Sequence, residues 1–272
     1  MKEYYEHKTA AVTGGASGIG LALVESMLEM GARAVTISDI NEENLNRHVA
    51  RLSEKYPGRV QGVKTDVTSE FSVRTMVDRA AAFGSGNIDL LFNNAGLGLS
   101  GAFEEQDNDK WEKAFAINFY SVIYGVRAAL PYMKAQKSGH IANTASGIAY
   151  VHFPYQSMYS ATKSAVLALT TSLRYEYWDE GIRFSTVVPG TVATAIWGGG
   201  PIPDSAITPE QSAAGILKGA AENKRVIFVT EDDREGCLSM ALGAYVPHMA
   251  KSMDEYMLGV ARARKSGSFS AI

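Results

Sequence analysis

The chain has 272 residues, 46% hydrophobic and 20% charged, with a net charge of −3. That is enough to bury a large core, and too little basic charge to argue for a nucleic-acid partner. No run of about 18 apolar residues reads as a membrane span, so no membrane partner is expected either.

The start, "MKEYYEHKTAAV", is charged and aromatic and lacks the apolar centre of a secretion signal. "TAAVT" (9–13) reads as a first strand, followed by a helical pattern with Leu21, Val24 and Leu28 at i, i+3, i+7. "AVTIS" (34–38) precedes Leu45, Val49, Leu52 and Tyr56, and "RVQGVKT" (59–65) precedes Val73, Val77 and Ala80. "IDLLFN" (88–93), "HIANTAS" (140–146), "IRFSTVVP" (182–189) and "RVIFV" (225–229) supply further strands. Short strands alternating with longer helices mean βαβ units. The expectation is an α/β fold: one doubly wound, Rossmann-type domain over 1–272, with a mainly parallel sheet of about seven strands. Its core would run over 8–230. Glycine and proline in "WGGGPIPDSAITP" (197–209) forbid a long regular element, so a substrate loop or plain mobile loop is expected at about 194–209. A helical C-terminal extension follows over 231–265. The one cysteine, Cys237, excludes an internal disulfide and points to a reducing compartment. A cytoplasmic protein is expected, and no metal site.

"TGGASGIG" (13–20) lies between the first strand and the first helix, where a parallel α/β fold binds phosphates. Gly14 allows the tight turn, while Gly18 and Gly20 let a pyrophosphate approach backbone and helix N-terminus. The spacing is Gly-x-x-x-Gly-x-Gly rather than the common Gly-x-Gly-x-x-Gly. Asp39 closes the second strand 19 residues after Gly20. A carboxylate there accepts from both adenosine ribose hydroxyls and repels a 2′-phosphate, favouring NAD over NADP. The competing reading makes Asp39 merely the cap of the next helix.

"TGGASGIG", "NNAG" (93–96), Ser146, "YSATK" (159–163) and "PGTVAT" (189–194) occur in order over residues 8–195, and together resemble the short-chain dehydrogenase/reductase family. The resemblance implies that Gly14, Ser17, Gly18, Ile19 and Gly20 form the pyrophosphate turn, and that Asp66 and Val67 touch adenine. It implies that Asn93, Ala95 and Gly96 steady sheet and cofactor, with Asn93 the contact. Pro189, Gly190, Val192 and Thr194 would form the turn that binds the nicotinamide end. Tyr159 becomes the general acid/base, Lys163 its tuner and a holder of the nicotinamide ribose, Ser146 the group bonding the substrate oxygen, and Asn118 the anchor of a relay water.

The chemistry agrees. A free phenol titrates at about 10, too high for a good base at neutral pH, and a nearby ammonium together with the positive nicotinamide ring favours the phenolate. Tyr159 and Lys163 continue an inward stripe with Val166, Thr170 and Leu173, whereas an exposed helix pair would sit on the polar face. Asn118 falls on the stripe of Trp111, Phe115 and Val122, where an amide needs partners. Phe153, Tyr155, Ile196 and Trp197 would make an apolar substrate pocket.

"SAVLALTTSL" (164–173) carries no charge. Such a helix must be covered on more than its sheet side, so a homodimer or homotetramer is expected. After about 230 the chain departs from the family's commonest ending. Leu238, Ala241, Leu242 and Tyr245 make an amphipathic pattern, and Met249, Met253 and Met257 a stripe that is either core, interface or a flexible pocket wall. The reading is an NAD-dependent oxidoreductase of a secondary alcohol or its ketone. Its alternatives are an NADP(H)-dependent carbonyl or 3-oxoacyl reductase, and a non-catalytic dinucleotide sensor.

Overall fold

A computed structural model describes residues 1–198, 200–243 and 246–265. In chain order the elements are α1 (Lys2–Tyr5), β1 (Thr9–Thr13), α2 (Gly18–Glu29), β2 (Ala34–Asp39), α3 (Glu42–Lys55), β3 (Val60–Lys64), α4 (Glu70–Phe83) and β4 (Leu90–Asn93). There follow α5 (Asn108–Phe115), a π turn (Ala116–Tyr120), α6 (Ser121–Gln136), β5 (Gly139–Thr144), α7 (Ser157–Glu176) and β6 (Ile182–Val188). Last come α8 (Pro209–Ala221), β7 (Val226–Phe228), α9 (Glu231–Gly243) and α10 (Pro247–Lys265). No described helix is long and apolar enough to cross a membrane.

The seven strands form one sheet in the order β3-β2-β1-β4-β5-β6-β7, with every pairing parallel. β1 is buried along its whole length, because parallel strands are covered on both faces. Successive side chains then serve opposite layers. Ala10 and Val12 join a core with Leu23, Met27, Leu52 and Ile216 from α2, α3 and α8. Ala11 joins the other with Met76, Val77, Met133 and Val166 from α4, α6 and α7. The order reverses between β1 and β4, so the chain leaves their carboxyl ends toward opposite faces and opens a crevice there.

α9 and α10 confirm a helical ending, but α9 does not bury the predicted stripe. Leu238 and Leu242 stay 45% and 53% exposed, whereas Cys237 and Gly243 go inside. Tyr245 lies outside the described residues, as do the side chains of Met249 and Met253.

At the opposite end of the sheet His140 is buried in a polar chain. Ser185 Oγ donates to Lys224 O (2.6 Å), so it accepts from His140 Nε2 (2.8 Å), leaving Nδ1 to accept from Tyr4 (2.9 Å). Burial, with Arg174, Arg183 and Lys8 nearby, lowers the His140 pKa to about 3. The folded imidazole therefore resists the proton that the unfolded chain takes up near pH 6.5. Its contribution is intact above that pH and is lost as pH falls from 6.5 towards 3, with a slope of up to ~1.4 kcal/mol per pH unit. Urea unfolding should show this slope in the wild type, and His140→Gln should lack that share of it.

Candidate functional site

The site begins where β1 and β4 part. Thr13 Oγ1 accepts the backbone N–H groups of Asn94 (3.0 Å) and Ala95 (3.1 Å). Asn94 Nδ2 returns to Thr13 O (3.1 Å) and Gly14 O (3.4 Å). The glycine turn is thus stitched to the start of the "NNAG" loop. Gly14 and Gly18 have φ of +62° and +48°, a left-handed region that favours glycine. A Cβ on Gly20 would lie 2.1 Å from Gly14 O, so the turn and the first turn of α2 close only without one. Ile19 packs against the α2-side core. α2 opens at Ser17 with no side-chain cap and no acid in its first turn. Its free N–H groups and dipole are left for an outside anion. These features fit a dinucleotide pyrophosphate.

Asp39 is not the helix cap, since Asn41 accepts from Asn44 N and caps α3. The Asp39 carboxylate instead accepts from Ala16 N in the glycine turn (3.1 Å) and from Asn41 N (3.0 Å). Sheet register sets Lys64 of β3 beside Asp39, but its ammonium pairs with Glu42 at 2.7 Å. Asp66 is exposed, and its Oδ1 accepts from Thr68 N and Oγ1; Val67 packs on the other core.

Asn93 turns its side chain into the interior of the sheet, where it steadies the strands. Its side chain is 3% exposed and donates to Asn143 Oδ1 (2.8 Å), while Asn143 donates to Thr170 of α7 (3.0 Å). Gly125 of α6 leaves the space that Asn93 Oδ1 fills. The reason is the strand's period of two: Asn93 faces the interior, and Asn94 is the residue that reaches the turn. Asn94, Thr13 and Thr162 were not singled out in the sequence, although β1 and β4 alternation could have separated the two asparagines.

Asn118 sits in the π turn, which interrupts the regular pitch between α5 and α6. π turns of this kind recur at functional sites. Asn118 goes inside at 1% exposure, while Trp111 and Phe115 stay half-buried and stack on each other. Its Oδ1 accepts from Leu97 N (2.8 Å), and its Nδ2 donates to Leu97 O (3.0 Å) and Thr162 Oγ1 (3.2 Å). The amide is therefore committed to protein partners and braces the "NNAG" loop against α7.

Tyr159 and Lys163 lie on the inner side of α7, beside Ser146 at the end of β5. Lys163 is 3% exposed; its Nζ donates to Thr144 O (2.8 Å) and stands 5.8 Å from the Tyr159 ring centroid. A Cβ on Gly96 would lie 3.2 Å from both Lys163 Nζ and Asn118 Oδ1, so glycine there lets the loop approach. Burial lowers the Lys163 pKa to about 8. The Tyr159 phenol is raised by its own burial, with a hydrogen bond from Ser146 pulling the other way. In the chain without its cofactor, desolvation outweighs the Ser146 hydrogen bond. Ser146 also accepts from Ile148 N (3.3 Å).

After β6 the chain turns at Pro189 and Gly190 (φ +87°) and crosses the crevice. Thr194 meets Gly18 and Ile196 meets Gly98, each close enough that a Cβ there would come within about 3.1 Å. Trp197 Nε1 donates to Val192 O (2.8 Å), and Val192 bridges to Ile207, so the 194–209 loop is folded back on itself. Phe153 does not join this side. It lines a cavity of about 460 Å³ with His152, Pro154, Ser157, Ser160 and Ser164, on the flank of α7 that carries those serines. At about 100° per residue, Ser160 and Ser164 lie roughly a quarter turn round the helix from Tyr159 and Lys163. Tyr155 has φ +62° and its carbonyl accepts from Gly101 N (2.8 Å).

Comparison with known proteins agrees with this arrangement. Residues 8–199 match the family described as short chain dehydrogenase. The chain belongs to that family. It is 39% identical over 192 residues to 3beta-hydroxysteroid dehydrogenase 2 of Eggerthella lenta, covering 70% of this chain and 72% of that one. It superposes with a TM-score of 0.79 and 27% identity on a Burkholderia phymatum short chain dehydrogenase/reductase in complex with NAD, covering 86% and 92% of the two chains. A putative short-chain dehydrogenase from Novosphingobium aromaticivorans gives 0.80 and 27%, covering 96% and 98%. Membership in this oxidoreductase family brings a nicotinamide dinucleotide as cofactor.

Asn118→Leu would orphan both Leu97 backbone groups inside this family fold. It should cost roughly 2 kcal/mol or more, read as a lower urea midpoint at unchanged slope.

Proposed function

We propose that the chain is an NAD-dependent oxidoreductase that interconverts a secondary alcohol and its ketone, with Tyr159 as general acid/base. The observation that carries this reading is the meeting of Ser146, Tyr159 and a buried Lys163 beside the glycine turn, across a crevice roofed by the 194–209 loop. A bound nicotinamide dinucleotide supplies the hydride carrier. Ser146 donates to the substrate oxygen and stabilises charge developing there. Tyr159 moves the matching proton at that oxygen. Since burial raises its pKa, the free chain holds Tyr159 as a neutral phenol, ready to donate to a ketone. Oxidising an alcohol needs the phenolate, for which positive charge must arrive at the site. Lys163 keeps one such charge close, braced by Thr144 O. Asn118 acts by holding the loop and α7 in register. Its side-chain bonds to Leu97 and Thr162 favour this bracing role over a water anchor.

Asp39 supports NAD: its carboxylate would repel a 2′-phosphate at the ribose. One observation favours the NADP(H) alternative, the nearness of Lys64 in the next strand, but its bond to Glu42 offsets that charge. The apolar Ile196 and Trp197 on the loop, with the steroid dehydrogenase relative, suggest an apolar or ring-bearing substrate. The uncharged outer side of α7, with the aromatic row Trp111, Phe115, Phe119, Tyr120 and Tyr124 nearby, supports a homodimer or homotetramer.

A spectrophotometric screen of steroid, aromatic, aliphatic and sugar alcohols with NAD⁺, and of matching ketones with NADH, should find turnover. Tyr159→Phe should bind NADH as the wild type does and lose at least about 10² in kcat; unchanged turnover would refute the mechanism. Affinity for NADP⁺ matching that for NAD⁺ would remove the argument from Asp39. For Lys163, kcat/KM should fall as pH rises through about 8, where the ammonium of the free enzyme is lost. Lys163→Arg should abolish that limb. Light scattering at micromolar concentration should give a multiple of the monomer mass.

A further inference from the structure

We propose that the C-terminal helix α10 positions the acid/base helix, and that Arg264 is the residue through which it does so. This inference rests on the catalytic reading of Tyr159 given above. Arg264 is only 5% exposed, as is Val260 one turn earlier on the same face, so this side of α10 is docked. What it docks on is the segment leading into α7. Arg264 Nη1 donates to Pro154 O and to Gln156 Oε1 (3.2 Å), and the guanidinium stands 5.6 Å from the Phe153 ring centroid. Three contact points within four residues, at 153, 154 and 156, are gripped by one side chain.

The gripped segment needs holding. Tyr155 adopts φ +62°, a conformation that costs a non-glycine residue of order 1 kcal/mol and persists only where surroundings enforce it. Gln156 then occupies the N-cap of α7 without capping it. Its Oε1, the natural acceptor for the helix's first N–H groups, is turned to Arg264 instead. Gln156 O accepts the first intrahelical bond, from Ser160 N at 2.8 Å, and Tyr159 is the third residue of that turn. A shift of the segment therefore moves the phenol almost directly. Tyr155 O also holds Gly101 N (2.8 Å), so the same grip reaches the loop after β4 on the far side of the crevice.

Placing a cation at a helix N-terminus opposes the helix dipole, and burying it adds desolvation, which lowers the Arg264 pKa. Among the described residues its Nε finds no hydrogen-bond partner. Such a group is not the choice that stability alone would make. One guanidinium whose Nη1 reaches two acceptors while its plane lies near the Phe153 ring ties the segment to α10 at three residues.

The test uses the full chain with Arg264→Ala and Arg264→Lys, alongside Tyr159→Phe. Hydrogen exchange by mass spectrometry should speed up about tenfold in peptides covering 151–160 of Arg264→Ala, with no change in peptides covering 13–20. The NADH dissociation constant should stay within about twofold, while kcat falls about tenfold or more, as a small misplacement of a reacting group demands. Arg264→Lys, which keeps the charge but loses the rigid guanidinium plane near Phe153, should recover part of both effects and remains informative if the alanine variant folds poorly. Unchanged exchange at 151–160 in both variants overturns the proposal, and so does faster exchange with unchanged kcat, which would make Arg264 a stability residue. Retained turnover in Tyr159→Phe would instead overturn the catalytic reading, while the exchange result still decides whether α10 grips this segment.

Discussion

The parting of β1 from β4 is the constraint on which the site depends. Adjacent parallel strands whose following segments leave to opposite faces cannot cover their shared carboxyl end, and a crevice opens there. Thr13 and Asn94 fix its width by tying the glycine turn to the β4 loop through four hydrogen bonds. The close approach they enforce crowds any Cβ at Gly14, 3.1 Å from Ala95 Cα, and adds Asn94 Nδ2 at 2.8 Å to the obstacles at Gly20. From that seam the turn presents the open end of α2, and Asp39 is drawn to Ala16. The loop after β4 is set running towards Asn118.

The second half of the site is built by burying polar groups where a plain core would place apolar ones. Asn93, Asn143 and Thr170 form one such chain, and Asn118, Leu97 and Thr162 another. Left unpaired, each amide would cost about 1–3 kcal/mol, so these networks hold only in one arrangement. They lock β4, β5, the π turn and α7 together around Lys163. Its ammonium, desolvated and held by Thr144 O, is the expensive member, and the rigidity around it keeps it beside the phenol. The raised Tyr159 pKa is the other consequence of the same dryness. An active-site base made only from a tyrosine and a lysine in a dry pocket is incomplete, and the proposed chemistry depends on charge that arrives with the cofactor.

The C-terminal helices extend this logic past the part of the chain matched by the family description, which ends at residue 199. α9 packs its cysteine against Gly147 O, next to Ser146, and α10 reaches the start of α7. Both therefore bear on the site from outside the crevice. The Phe153 side chain shows the difference: it sits under Arg264 rather than facing substrate.

The sequence by itself determined the strand-helix alternation and the glycine turn, and its resemblance to the family pointed to Ser146, Tyr159 and Lys163. The alternation and the turn are local: a period of 3.6 or 2, or a backbone conformation that only glycine reaches easily. It determined the inward stripe of α7 for the same reason. Only the tertiary structure decided which asparagine of "NNAG" meets the turn, because the answer depends on which face of β4 is covered. It alone decided that Phe153 turns away and that Leu238 and Leu242 stay exposed. It also decided that burial outweighs the Ser146 hydrogen bond in setting the Tyr159 phenol. Each of these is a balance of desolvation and packing between segments far apart in the chain, and no local pattern carries that information.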